Sequence, residues 1–445
     1  MRIKSLDLRN VRLFNGNVPP INFSEEKNVA IFLGDNGTGK TTILSTIASM
    51  LSTFISAFPG VGGLRMFQGT DIHITNRERM EDYLRVAMQI KCIDNSSSSS
   101  DCIINVSRAL KGLRKPAEES NVKDLKNYAE SLKERILLGD DVELPIVAYY
   151  NTERGNITAP ERKRDFATSF ERWDCYKDAL SSDANFKRFF MWFDLMTTEE
   201  DHKIKERKDF EYQLPVLRAV RSALTSMMGD RYSNPRIELK PLRFVMDEQI
   251  QDGSVRQLRV EQMSDGFRIM TAMVADIASR MAEANPQMEN PLATHGVVLI
   301  DELDLHLHPH WQRQVLNQLH MVFPNVQFIV STHSPLVVIG IDSDAQVFKL
   351  NKGIIEEVDM LSYSNYDASL MLLSDLFGLS SARNPKFDSK IKRRNELSQK
   401  AVLTENENIE LKSLDEQLID LPFGASKLDI DLRKAIDTLI KKLEG

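Results

Sequence analysis

Gly34-Asp35-Asn36-Gly37-Thr38-Gly39-Lys40-Thr41 fits the spacing G-x-x-x-x-G-K-[ST]. Glycines let the backbone curl until several N–H groups point inward at one anion. Lys40 adds a full positive charge for β- and γ-phosphates, and Thr41 offers a hydroxyl to Mg²⁺. Two further points carry charge and proton chemistry. Asp301-Glu302 ends the aliphatic run Val297-Val298-Leu299-Ile300, and His333 follows the apolar run 326–330. Asp301 can hold Mg²⁺ directly or through water. Glu302 can accept a proton from an attacking water, and His333 can reach a γ-phosphate from the neighbouring strand. Positioning and charge neutralisation then do most of the catalysis in phosphoryl transfer. Ser264-Asp265-Gly266 opens a helix and so makes a second phosphate-binding end.

These groups act together only if the chain brings them to one edge. Val29-Ala30-Ile31-Phe32-Leu33 reads as a buried strand, and 42–50 as a helix whose N-terminus faces the phosphates. The runs 144–150, 297–300 and 326–330 read as further buried strands, with one more near Val347. Ligands of open α/β sheets bind at the carboxyl ends of such strands. The expected fold is therefore α/β, with mixed sheets and flanking helices. Residues 70–74, 84–93, 102–109, 237–245 and 258–260 also read as strands, and 113–139, 161–228, 262–285 and 309–321 as helices. The polar run 94–100 reads as a hairpin tip. Phe186, Phe189, Phe190, Trp192, Phe193 and Met196 read as core. The expected division is 1–160 as the lobe bearing the phosphate loop, 161–235 as a helical insertion, 236–360 as the lobe bearing the signature, acidic strand and histidine, and 361–445 as a helical C-terminal segment.

Hydrophobic residues make up 42% of 445, enough for a substantial core, and the net charge of −7 implies no whole-molecule attraction to nucleic acid. Cys92, Cys102 and Cys175 are scattered without a C-x-x-C, which argues against a disulfide or zinc scaffold and fits a reducing cytoplasm. No apolar run reaches transmembrane length, and the N-terminus alternates like a strand, so no membrane association is expected.

The order of phosphate loop, signature, acidic strand and histidine matches the ATP-binding-cassette class. The chain resembles the cassette heads of SMC-like and OLD-type ATPases. More closely, it is similar to the ATPase subunit of Septu-type anti-phage defence systems. The residues that carry the likeness are 34–42, Met263-Ser264-Asp265-Gly266-Phe267-Arg268, Ile300-Asp301-Glu302-Leu303-Asp304-Leu305-His306-Leu307-His308-Pro309, Ser331-Thr332-His333-Ser334-Pro335, and Ala148-Tyr149-Tyr150-Asn151-Thr152-Glu153-Arg154. It spans roughly residues 1–345, with a weaker echo beyond. One departure from the cassette pattern is Ser-Asp-Gly where transporters have Ser-Gly-Gly.

The resemblance implies ATP and Mg²⁺ as ligands, and a head-to-head dimer in which one subunit's signature completes the other's phosphate loop. It assigns Gly34, Asn36, Gly37, Thr38, Gly39, Lys40, Thr41 and Thr42 to the nucleotide in cis, and Ser264, Asp265 and Gly266 in trans. It places Asp304 in the loop crossing the interface, and Arg12 and Phe14 near the base or ribose. Metal ligands would be Thr41 and Asp301 with an amide, for which Gln68 and Asn151 are both candidates. His306, His308 and His310 belong to the crossing loop rather than to a metal site.

Long coiled-coil arms and a nuclease domain are both expected to be missing. The resemblance therefore implies a separate HNH-type endonuclease, docked through the C-terminal segment. A DNA-repair protein of the RecF-like kind, with ATP-gated DNA binding, is the alternative. Arg383, Lys386, Lys390, Lys392, Arg393 and Arg394 would be the place for DNA contact.

Overall fold

The structure is a computed structural model that describes residues 1–16, 18–75, 79–92, 102–114, 119–152, 170–181, 186–229, 231–239, 242–250, 252–341, 345–379, 381, 385–398, 400 and 403–418. In chain order the first unit, Met1–Val358, contains β1 (Arg2–Arg9), β2 (Ile21–Asn22), β3 (Val29–Leu33), α1 (Lys40–Ile55), β4 (Tyr83–Cys92), β5 (Cys102–Lys111), α2 (Lys123–Leu137) and β6 (Ile146–Tyr150). Then come α3 (Phe186–Arg207), α4 (Pro215–Met228), β7 (Tyr232–Leu239), β8 (Leu242–Gln249), β9 (Val255–Arg259) and α5 (Asp265–Ala284). It ends with β10 (Gly296–Ile300), α6 (Pro309–Gln312), α7 (Val315–Val322), β11 (Val326–Thr332), α8 (Pro335–Gly340), β12 (Ala345–Asn351) and β13 (Ile354–Val358).

The aliphatic runs form one six-stranded sheet, ordered β13-β12-β3-β11-β10-β6. All its pairings are parallel except β12 with β13. Every residue of β3, β6, β10 and β11 is buried, as strands covered on both faces require. An antiparallel sheet, β2-β1-β4-β5, is tied to this core by Gln327, which exchanges bonds with Ile3 N (2.7 Å) and Ile3 O (3.0 Å). Between the layers runs α1, packed against β10 and β11 and against β5 and α2, and buried almost all round. The third sheet, β7-β8-β9, leads directly into α5, and Phe244 on β8 meets the rings of Phe186, Phe189 and Phe193 on α3. The aromatic stripe is thus core, as expected.

Two strand expectations are corrected. Residues 70–74 do not make a strand. They begin in a 3₁₀ turn, Gly69–Asp71, and only Ile72 and Ile74 form isolated bridges. Asp71 accepts the Gln68 N–H at 2.9 Å and pairs with Arg12, which locks the turn. Residues 237–245 do not form one strand but the two arms of the β7–β8 hairpin, paired Leu239 with Leu242. Helix α2 is also shorter than the 113–139 read from composition. Expectations for the tip 94–100, for Glu153 and Arg154, for Arg383, and for the chain after 418 lie outside the described residues.

The second unit, Asp359–Gly445, contains α9 (Ala368–Leu373), α10 (Pro385–Ser398) and α11 (Glu405–Leu418). Three of the basic residues of α10 are paired within the unit. Arg393 donates to both Glu410 oxygens at 2.9 Å, Arg394 to Asp415 at 2.9 Å, and Lys390 to Gln417 at 2.6 Å. No helix among the described residues is long and apolar enough to cross a membrane.

Candidate phosphate-binding and hydrolytic site

Parallel pairing aligns the strand ends. Tyr150 lies opposite Ile300, Ile300 opposite Val330, and Thr332 opposite Leu33. Gly34, Asn151, Asp301 and His333 therefore leave the sheet at one edge. From Gly34 the chain turns into α1 through Gly39, at φ +105°, where a Cβ would come within 2.6 Å of Phe14 Cζ. Only glycine satisfies both constraints. Phe14 is fully buried beneath the loop, so it supports the loop's curvature and does not reach a base or ribose. Lys40 Nζ donates to Gly34 O (2.8 Å) and Asp35 O (3.0 Å), and Thr38 Oγ1 to Asp35 O (2.9 Å). Burial pulls the Lys40 ammonium below its usual range, against the opposing charges of Asp301, Glu302, Asp35 and Asp304. Asn36, Gly37 and Thr41 are exposed at the mouth, and Thr42 is buried.

Ser331 organises the acidic pair. Its hydroxyl donates to Asp301 Oδ1 at 2.5 Å and accepts the Glu302 N–H at 2.7 Å. Asp301 is 1% exposed, while Glu302 is half-buried and held at φ +46°, a left-handed conformation costly for a residue with a Cβ. Asp304 Oδ1 accepts from Thr332 Oγ1 (2.5 Å) and His333 N (3.2 Å), so it fixes the backbone of the histidine. His333 Nε2 is buried without a hydrogen-bond partner among the described residues. An oxyanion at the loop would satisfy it, and the Lys40 ammonium, bonded to its own loop carbonyls, is placed to turn to the same anion. The residues thus fit a nucleotide phosphate and its metal ion.

The two amides stand apart. Asn151 follows Tyr150, whose carbonyl accepts the Asp301 N–H at 2.8 Å. Gln68 lines a cavity of about 410 Å³ with Arg12, Arg65, Ser45, Thr46 and Ser49. Arg12 is held there by Asp71, at 2.9 Å from Nε. Tyr149 lies under the Arg65 guanidinium at 5.3 Å, and burial, with Asp301 nearby, pushes its phenol up to about 12.

Ser264 is the N-cap of α5, exposed, with no capping bond from its hydroxyl. Asp265 pairs with Arg268 at 2.8 Å. Gly266 packs onto the loop that carries Asp304, since a Cβ there would lie 2.7 Å from His306 O. Phe267 meets Trp311 edge-on at 5.0 Å. The signature and the Asp304 loop are therefore one surface. His308 Nδ1 accepts the His310 N–H at 3.3 Å as a helix cap, and among the described residues no three His, Cys, Asp or Glu side chains gather as a metal group. The motif Ser331-Thr332-His333-Ser334-Pro335 by itself gives Ser331 no role. Its signal was its place one strand across from Asp301.

A family model described as "AAA domain" matches residues 5–227, and a second AAA-domain model, whose description adds a type IV toxin–antitoxin system, matches 150–339. The chain is 29% identical over 420 residues to the Retron Ec83 probable ATPase of Escherichia coli, covering 80% of this chain and 74% of that one. It is 29% identical over 388 residues to the Retron Vc95 probable ATPase of Vibrio cholerae serotype O1 biovar El Tor (76% and 72%). It is 33% identical over 124 residues to the Septu protein PtuA of Bacillus mycoides (27% and 17%). Among solved structures, an SMC head bound to the C-winged helix domain of ScpA aligns with TM-score 0.45 and 17% identity, over 80% of this chain and 98% of that one. Matched by one family model over half its length, around a phosphate loop of this geometry, the chain belongs to the AAA-domain ATPases.

Proposed function

We propose that the chain binds and hydrolyses ATP with Mg²⁺, that two copies close head to head around two nucleotides, and that this closure controls a separate HNH-type endonuclease in anti-phage defence. The loop N–H groups of 37–40 and the Lys40 ammonium bind the β- and γ-phosphates. Thr42 and Arg12 hold the rest of the nucleotide. Glu302 takes the proton of the attacking water, and His333 Nε2 donates to the γ-phosphate. Thr41 and Asp301, with Asn151 or Gln68, would hold Mg²⁺, which supplies charge neutralisation at the phosphate oxygens. Ser264 and the α5 N-terminus of the second copy cap the same phosphates from the other side, with Asp265 held aside by Arg268 and Asp304 in the crossing loop.

The carrying observation is an exposed, uncommitted signature serine. Asp301, Glu302 and Asp304 act electrostatically on Lys40, while Ser264 sits on the surface with its hydroxyl uncommitted, docked through Gly266 on the Asp304 loop. The defence role rests on the Septu and retron relatives. The alternative of ATP-gated DNA binding would have to open the Arg393–Glu410 and Arg394–Asp415 pairs between α10 and α11 before those arginines met phosphate.

Glu302→Gln tests the proposal. It should retain ATP binding, lose hydrolysis, and accumulate an ATP-dependent assembly by light scattering that co-purifies with an HNH protein expressed beside it. Hydrolysis at the parental rate would remove Glu302 as base. An assembly indifferent to ATP would remove the head-to-head closure.

A further inference from the structure

Tyr150 ends β6 and is 1% exposed. Its two polar ends face different parts of the site. The carbonyl accepts the Asp301 N–H at 2.8 Å, and the hydroxyl donates to Asp276 Oδ2 at 2.8 Å, halfway along α5. Asp276 also accepts from Arg280 Nε at 2.9 Å, and both side chains are 1% exposed. The same Arg280 donates to the carbonyls of Cys175 (2.5 Å) and Lys177 (3.0 Å). That segment returns to β6, because Ala179 O accepts the Tyr149 N–H at 2.8 Å. A closed ring of buried bonds therefore joins the middle of the signature helix to the strand beside the acidic pair.

Packing does not account for the hydroxyl, since phenylalanine would fill the same volume. Stability alone is a poor reason for the ion pair, because desolvation offsets much of its attraction. What directional bonds add is position. Residues 269–284 of α5 are buried all round, and apolar contacts resist its separation from the sheet better than its sliding along its own axis. A hydrogen bond to a fixed strand end stops that sliding. Ser264 lies twelve residues before Asp276, about 18 Å up the same helix, so an axial shift at one is carried whole to the other.

We infer that Tyr150 is a positioning residue: through Asp276 and Arg280 its hydroxyl fixes the height of Ser264 relative to Asp301 and Glu302. The inference rests on the composite site proposed above, since only there do both ends meet nucleotide. One copy then offers its signature to a neighbour at a level set by its own hydrolytic edge.

A mutant cycle in the full chain tests this, with Tyr150→Phe, Ser264→Ala and the double variant compared for ATP hydrolysis. Tyr150→Phe should lower kcat at least about fivefold with KM for ATP changed less than about twofold. The double variant should be no more than about twofold slower than Ser264→Ala alone, because both remove the same interaction. Losses that multiply would overturn the inference, as sites this far apart are additive when independent. An unchanged kcat in Tyr150→Phe would overturn it too. If Ser264→Ala alone leaves kcat unchanged, the composite site itself fails, a result distinguishable from both. Should the phenylalanine chain not fold, Arg280→Lys, which keeps the charge beside Asp276 but not the carbonyl contacts, enters the same cycle with the same expected outcome.

Discussion

Replacing Ser331 by alanine removes one hydroxyl that serves both members of the acidic pair. Two bonds are lost: one to the Asp301 carboxylate at 2.5 Å and one from the Glu302 N–H at 2.7 Å. Hydrogen bonds to charged groups contribute about 1.5–3 kcal/mol and neutral ones about 0.5–1.5 kcal/mol. The second bond also restrains Glu302 at φ +46°, a left-handed state that costs about 1–2 kcal/mol for an L-residue. Without it Glu302 relaxes away from the attacking water. Water can reach the half-buried Glu302 N–H and recover part of the loss, so the net penalty on the transition state is about 1.5–3 kcal/mol, or about 10- to 150-fold in kcat. Lys40 and the loop are untouched, so nucleotide affinity should stay within about threefold. Single-turnover phosphate release gives the first quantity and titration with a fluorescent nucleotide the second. A kcat within about threefold of the parent would refute the reasoning, as would an affinity loss equal to the rate loss.

Gly266→Ala places a methyl 2.7 Å from His306 O, closer than ordinary contact. Overpacking of this kind costs about 1–3 kcal/mol; the melting temperature should fall and hydrolysis with it, while ATP binding by the isolated chain is retained, as calorimetry can check. Glu143 accepts from His295 N at 2.6 Å and Nδ1 at 2.9 Å. Burial raises its carboxyl, but the bonds from His295 outweigh that and hold it below the usual 4.5. A depressed carboxyl adds stability that is complete above its unfolded value and lost as pH falls through the folded one. Glu143→Gln should therefore be less stable than the parent near neutrality, with the gap in urea unfolding closing as pH falls below the usual carboxylate range. A gap that is constant with pH would show that the carboxylate's charge is not what matters.

The phosphate edge was legible because its signals are local. Four aliphatics before Asp301, or five apolar residues before Gly34, specify a strand covered on both faces, and a parallel sheet then brings the ends together without further information. What escaped is what depends on contacts across the fold. Residues 70–74 have the alternation of a strand, but Asp71 finds two partners, Gln68 N and Arg12, and the turn they lock prevails over the pattern. The family resemblance places Phe14 near the base or ribose, yet Gly39 leaves room for its ring below the loop, and that burial is visible only in three dimensions. Tyr150 lies far along the chain from Asp276 and Arg280, and nothing in the period of α5 marks the aspartate as anything but a polar residue on a helix. Ser331 reads as filler between a strand and His333 until the neighbouring strand is laid beside it.

Charge explains why one copy should not suffice. Asp301, Glu302, Asp35 and Asp304 already act together on the single ammonium of Lys40. A triphosphate adds several more negative charges to the same edge. Among the described residues the nearby arginines already have partners: Arg12 pairs with Asp71, and Arg65 donates to Leu180 O (3.0 Å) and lies over the Tyr149 ring. A divalent ion held in cis by Thr41 and Asp301 would relieve part of the excess. The remainder calls for positive potential from outside, delivered without water. An exposed helix N-terminus with an unspent serine hydroxyl has that character, and α5 presents one on a surface already joined to the Asp304 loop. If that reasoning holds, raising salt should weaken ATP-dependent self-association of Glu302→Gln far more than ATP binding by the single chain, since the contact between copies is the more exposed to screening. Equal salt sensitivity of the two would place the missing positive charge within one chain.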